Sequence, residues 1–131
     1  MEEAQKALSI LNELGTLDEE EFLRNKHYVS SAKYNLLVAI EACIDIAYHL
    51  ISKNKLRLPQ DYADFFRILK ENGIIGERLA HRLALMARFR NRLVHIYWDV
   101  DDGMIYRIIT EDVRNIEEFL NHIRKTLKGV G

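Results

Sequence analysis

The segment Arg88-Phe89-Arg90-Asn91-Arg92-Leu93-Val94-His95-Ile96-Tyr97 concentrates groups able to act on a phosphodiester. A histidine exchanges protons near neutral pH. An arginine is a fixed cation whose donor fork fits phosphate oxygens. If the segment is helical, Arg88, Asn91, Arg92 and His95 fall at i, i+3, i+4 and i+7 and share one face. Arg90 lies about 140° from His95 at roughly 100° per residue. It continues the apolar stripe of Leu79, Leu83 and Met86, so it points toward a packing surface. A guanidinium there requires a partner. One solution is a two-fold dimer in which Arg90 of one chain approaches His95 of the other. If the helix stops near Val94, His95 and Tyr97 share one side of an extended segment. The plainer alternative is a solvated helix end whose cations are favoured by the helix dipole.

The elements that must position these groups are helical. The 131 residues suit one domain, 1–131, large enough to bury a core. Nearly half are apolar and 30% are charged, with one proline and six glycines, which argues against disorder and an all-β fold. The net charge of −1 gives no bulk signal for nucleic acid, so any RNA contact must be local. Cys43 is the only cysteine, so no internal disulfide forms, and its apolar neighbours make it a small core residue. No leader or membrane-spanning segment is visible, and a reducing cytoplasm is expected.

Residues 2–13 read as a short helix with Ala4, Leu8 and Leu11 on one side, ended by Gly15. Thr16 and Glu19 stand at capping-box spacing. Residues 28–53 form the longest periodic segment. Tyr28, Ala32, Leu36, Ile40, Cys43, Ala47 and Leu50 make a stripe, widened by Val29, Leu37, Ile44 and Ile51. A surface this wide suits packing on two sides, within the bundle and against a second subunit. Glu41, Asp45 and His49 follow one another a turn apart. They either face solvent or supply an acid that pairs with Arg90. Pro59 suits a first helical turn. Tyr62, Phe65, Phe66 and Leu69 mark a helix whose aromatics are core rather than a base-stacking platform. Asn72-Gly73 ends it.

Residues 76–94 form the motif helix. Arg78, His81, Arg82, Arg88, Arg90 and Arg92 face a single acid there, Glu77. Such a helix could track a phosphate backbone or bind an acidic protein. Asp99, Asp101, Asp102 and Gly103 faintly suggest a calcium loop, but Thr110 stands where its terminal glutamate belongs. Residues 101–103 are therefore read as a turn, flanked by Trp98 and Tyr106. The last helix, 111–128, repeats Val113, Ile116, Leu120, Ile123 and Leu127.

The order Arg90, four residues, His95, one residue, Tyr97 resembles the signature of the HEPN superfamily, and in particular the HepT-like toxins. Pro59, Tyr62, Phe65, Leu69, Gly73-Ile74-Ile75, Leu79-Ala80, Leu83 and Met86 follow the same pattern, so the likeness runs from about residue 25 to the end. The resemblance implies a metal-independent ribonuclease in which the RNA 2′-hydroxyl attacks the adjacent phosphorus. His95 would be general acid or base, and Arg90 would stabilise phosphoryl charge. Asn91 would orient the phosphate or His95, and Arg88 and Arg92 would bind RNA. An acid on the helix facing the motif, Glu41 or Asp45, would support Arg90. The resemblance also implies a minimal nucleotidyltransferase antitoxin that adds AMP to Tyr97. The alternative is a non-catalytic nucleotide- or partner-binding subunit of such a complex. The expected fold is an all-α up-and-down bundle of four main helices plus a short N-terminal one, forming a homodimer, with no cofactor, metal or membrane.

Overall fold

Four side chains start helices in the computed structural model, which describes residues 2–95 and 100–130, the last four by backbone alone. Asp18 accepts the Glu21 amide at 2.8 Å, Asn25 the His27 amide at 2.9 Å, Asp61 the Asp64 amide at 2.7 Å and Asp101 the Gly103 amide at 2.9 Å. Each satisfies an amide that has no partner within its helix. They open α2 (Glu19–Arg24), α3 (Lys26–Lys53), α4 (Tyr62–Glu71) and α6 (Asp102–Arg107). Before them runs α1 (Glu2–Leu14). α5 (Glu77–His95) lies between α4 and α6, and α7 (Val113–Val130) ends the chain. A π-helical turn, Ile108–Asp112, joins α6 to α7. Its flanking residues keep right-handed helical dihedrals, so residues 102–130 are one rod with one widened turn.

The protein is an all-α bundle, with no strand among the described residues. The main helices are α3, α4, α5 and α7, with α1 at the N-terminus. α3 is about 42 Å long at 1.5 Å per residue and packs against α1, α2, α4, α5, α6 and α7. Its stripe of Val29, Ala32, Leu36, Ile40, Cys43, Ala47 and Ile51 is buried. α1 adds Ala4, Ala7, Leu8, Leu11 and Leu14, so it belongs to the core. Phe66 of α4 meets Phe119 of α7 edge to face, with centroids 5.8 Å apart. By length and mean hydropathy α3 could span a bilayer. Buried bundle helices share those properties, and α3 carries the half-exposed Glu41 and the exposed Asp45.

Several expected boundaries move. The Thr16 hydroxyl donates to the Glu13 carbonyl at 2.6 Å, closing the end of α1, and capping falls to Asp18. Gly15 lets that end approach the π turn: a Cβ there would meet the Ile109 carbonyl at 3.5 Å and the Leu11 carbonyl at 3.3 Å. Pro59 lies ahead of α4, which Asp61 starts. Residues 101–103 are a helix start rather than a turn, and the last helical run begins nine residues before Glu111. The cause is burial. Ile105, Ile108 and Ile109 extend the apolar repeat of α7 backward into the core. Lys33 of α3 also holds Asp102 at 3.2 Å, at the helix end where an acid is favoured.

The loop after α3 is tied down by Arg57. Its guanidinium donates to both Asp64 oxygens at 2.8 and 2.9 Å and to both Glu71 oxygens at 2.9 Å. Asp64, 4% exposed at its side chain, also accepts the Gln60 amide at 3.0 Å. These bonds, Arg57 first, lower the Asp64 carboxyl from 3.8 to about 2. Its contribution to stability is therefore complete above the ordinary carboxylate value and fades as pH falls through the folded value near 2. Asp64→Ala should cost roughly 1–3 kcal/mol in urea unfolding at pH 7. The difference from wild type should shrink between pH 4 and pH 2. A constant difference across that window would disprove the clamp.

Candidate functional site

Arg90 is the junction of three helices. From α5 its Nε and Nη2 donate to Oε1 of Glu41 on α3 at 3.2 and 2.9 Å. Nη1 donates to the Asn91 side-chain oxygen at 3.2 Å. The guanidinium carbon stands 5.0 Å from the ring centroid of Tyr62, the first residue of α4. That distance suits a cation–π contact. The Arg90 side chain is 18% exposed, while Glu41 keeps 45% of its surface. A guanidinium has five N–H donors. Three are used, which leaves two for an oxyanion. The site thus has a cation held on three sides with donors to spare.

Tyr62 departs from its core assignment. Phe65 and Phe66 are buried, but Tyr62 is 38% exposed. Its ring meets Phe65 edge to face at 5.6 Å, and Phe65 stacks on Tyr48 at 6.2 Å. Sequence periodicity could not reveal its contact with Arg90, because the two residues belong to separate helices.

α5 remains helical through His95. His95, Arg88 and Arg92 are exposed and Asn91 is half-buried. Tyr97 and Trp98 lie outside the described residues. Asp45 and His49 are exposed, and of the expected acidic line only Glu41 meets Arg90. Asp45 instead shares with Glu41 a cleft of about 440 Å³ against α1. Since Glu41 belongs to the same chain, the inward guanidinium needs no second subunit to pair it. Arg78 is bound to Glu118 of α7 at 2.7 and 2.8 Å, so part of the basic bias of α5 serves packing. Arg67 and Lys70 of α4 face His81 and Arg88 of α5 across a shallow cleft of about 200 Å³. Burial pushes the Cys43 thiol up to about 12, which makes it a poor nucleophile. Among the described residues no three His, Cys, Asp or Glu side chains group as a metal set.

The chain has well-defined relatives. A family model described as ribonuclease HepT-like matches residues 4–123. The mRNA nuclease HepT of Shewanella oneidensis is 30% identical over 107 residues, covering 82% of this chain and 80% of that protein. The tRNA nuclease HepT of Aphanizomenon flos-aquae is 30% identical over 108 residues, covering 76% and 72%. The solved structure of the tri-AMPylated Shewanella oneidensis HEPN toxin in complex with MNT antitoxin matches with a TM-score of 0.85 and 26% identity, over 94% of this chain and 92% of that one.

Glu41 and Tyr62 touch the same guanidinium, so their effects on folding should not be independent. A double-mutant cycle of Glu41→Ala and Tyr62→Ala, read by urea unfolding, should return a coupling of about 0.5 kcal/mol or more. Strict additivity would show that the two do not share Arg90.

Proposed function

Because the chain belongs to the HepT-like family of ribonucleases, we propose that it is the toxin of a toxin–antitoxin pair and cleaves RNA by metal-independent attack of the 2′-hydroxyl on the neighbouring phosphorus. The attacking oxygen forms a bond to phosphorus, and the bond to the 5′-oxygen of the next nucleotide breaks. One proton leaves the 2′-hydroxyl and one must reach the departing 5′-oxygen. His95 carries one of these transfers, since imidazole exchanges protons near neutrality. Arg90 turns its two spare donors to the non-bridging oxygens, where negative charge builds. Glu41 and Tyr62 hold that fork, and Asn91 fixes its third edge. Arg88 and Arg92, exposed on the face of His95, take neighbouring phosphates. Asp45 plays no direct part and sets the local potential beside Glu41.

The observation that carries this reading is the constrained, partly buried Arg90 with unused donors, five residues before an exposed histidine. The named activities of the Shewanella and Aphanizomenon relatives support ribonuclease chemistry. The AMPylated state of the solved toxin complex supports regulation by a nucleotidyltransferase antitoxin that transfers AMP from ATP to Tyr97. The outward side of α3, with Tyr34 and Tyr48 exposed by 65% and 60%, offers apolar surface to a second copy. On this reading the chain works as a homodimer in the cytoplasm.

The direct test is RNA cleavage by the purified protein. His95→Ala and Arg90→Ala should each lower the rate by about 10²–10⁴ at unchanged helicity. Chelation by EDTA should leave cleavage intact. Full activity of His95→Ala, or loss with EDTA, would overturn the mechanism. RNA binding without cleavage would leave only a binding subunit.

Modification is tested separately. An added AMP brings a negative phosphate and a bulky nucleoside, which would compete with RNA for Arg90. Incubation with the antitoxin and ATP should add one or more AMP units to wild type. Tyr97→Phe keeps the ring but lacks the acceptor oxygen, so its intact mass should show no added AMP. AMP attached elsewhere alone would refute the assignment.

A further inference from the structure

A third cavity, of about 460 Å³, opens between α5 and the rod formed by α6, the π turn and α7. Its size falls in the range of small-molecule sites. Leu85, Met86 and Phe89 wall it from α5, with Met104 and Ile108 opposite. Asn115 lines it and is only 6% exposed. Among the described residues the Asn115 side-chain amide has no hydrogen-bond partner. No polar side-chain atom there is both sealed and unpaired, so the little exposure left to this amide is toward the cavity it lines. An amide that is open only to a cavity is free to bond a ligand there. The π turn contributes Ile108, Glu111 and Asp112 to the same wall, and such turns occur frequently at functional sites. Arg82 and Arg107 stand at the exposed rim beside Glu111. Burial, and then the neighbouring Glu111, raises the Asp112 carboxyl, against the opposing pull of Arg82 and Arg114.

A ligand that fits must bring three features together. It needs a flat apolar face for Phe89 and the methionines. It needs an edge with an adjacent donor and acceptor for Asn115, plus a further polar atom for Asp112. It needs negative charge for Arg82 and Arg107. An alkyl acid lacks the second feature and a sugar lacks the first. A purine base with its phosphate has all three, and an asparagine amide pairs in two-point fashion with a purine edge. We infer that this cavity is a purine-nucleotide site, with the base against Asn115 and Asp112 and the phosphate toward Arg82 and Arg107. The site is separate from Arg90, and its existence does not depend on the cleavage chemistry. The nucleotide is either free or one unit of an RNA chain.

Calorimetric titration of the full chain with adenosine and guanosine 5′-monophosphate, and with a purine-rich 2′-O-methyl RNA oligomer that cannot be cleaved, tests this. Asn115→Leu keeps the volume and removes the amide. It should leave thermal stability equal or higher while weakening binding roughly tenfold or more. The double variant Arg82→Gln/Arg107→Gln changes exposed groups only. It should weaken the monophosphates but not the bare nucleosides. Sensitivity with mononucleotides identifies a free ligand, and sensitivity with the oligomer alone identifies an RNA base. Unchanged affinity of both variants for every probe overturns the inference. So does dissociation of a dimer by Leu85→Glu, which would make the groove a contact between copies of this chain. Nucleotide binding without RNA cleavage would defeat the ribonuclease reading and leave this one standing.

Discussion

A guanidinium on the inner side of a helix must find an acid, and the geometry around Arg90 follows from that requirement. Arg90 points inward because it occupies the stripe of Leu79, Leu83 and Met86, three residues that are buried. Removing a cation from water is costly unless it is paired and hydrogen-bonded. Glu41 supplies the charge, Asn91 a further acceptor, and the Tyr62 ring a face. These partners come from α3, α5 and α4. The same interaction therefore joins three helices and presets the direction of the donors that remain.

That arrangement depends on α3 more than on any other element. Glu41 sits mid-helix, where buried Ile40, Cys43 and Ile44 fix the rotation of α3 about its axis. Rotation decides that Glu41 reaches α5 while Asp45, one turn on, stays exposed. The Arg57 clamp performs the corresponding task for α4 by binding the loop before it to Asp64 and Glu71. Tyr62 lies at the start of that helix, so the same clamp holds the ring beneath Arg90. Stability and site geometry share these contacts.

The two polar features of the bundle differ in character. At Arg90 three donors are matched within the protein and two are left over. At Asn115 an amide without a hydrogen-bond partner among the described residues opens on a cavity with apolar walls and a charged rim. The first pattern describes a preorganised cation and the second an amide available to a ligand. The π turn links the second pattern to the fold. By widening one turn it places Ile108, Glu111 and Asp112 on the cavity wall without breaking the rod.

Helical periodicity alone determined much of this protein. The apolar repeats of α1, α3 and α5, and the later repeat of α7, are dictated by which side chains must leave water, and they define an all-α bundle. Residue type marked the run from Arg88 to Tyr97, and the likeness of that run to the HepT-like pattern pointed to the family. Boundaries that depend on competition between neighbours were less legible. Thr16 was needed by the end of α1, so Asp18 became the cap, and Asp101 served a helix because Ile105 and Ile109 had core to fill. Partners distant in sequence were left to the tertiary structure. Glu41 and Asp45 have the same charge and lie on neighbouring turns, so spacing could not choose between them for Arg90. Tyr62 resembled any core aromatic, and Asn115 any polar residue of an amphipathic helix. Each acquired its role through packing against another helix, and one-dimensional periodicity carries no information about which helix that is.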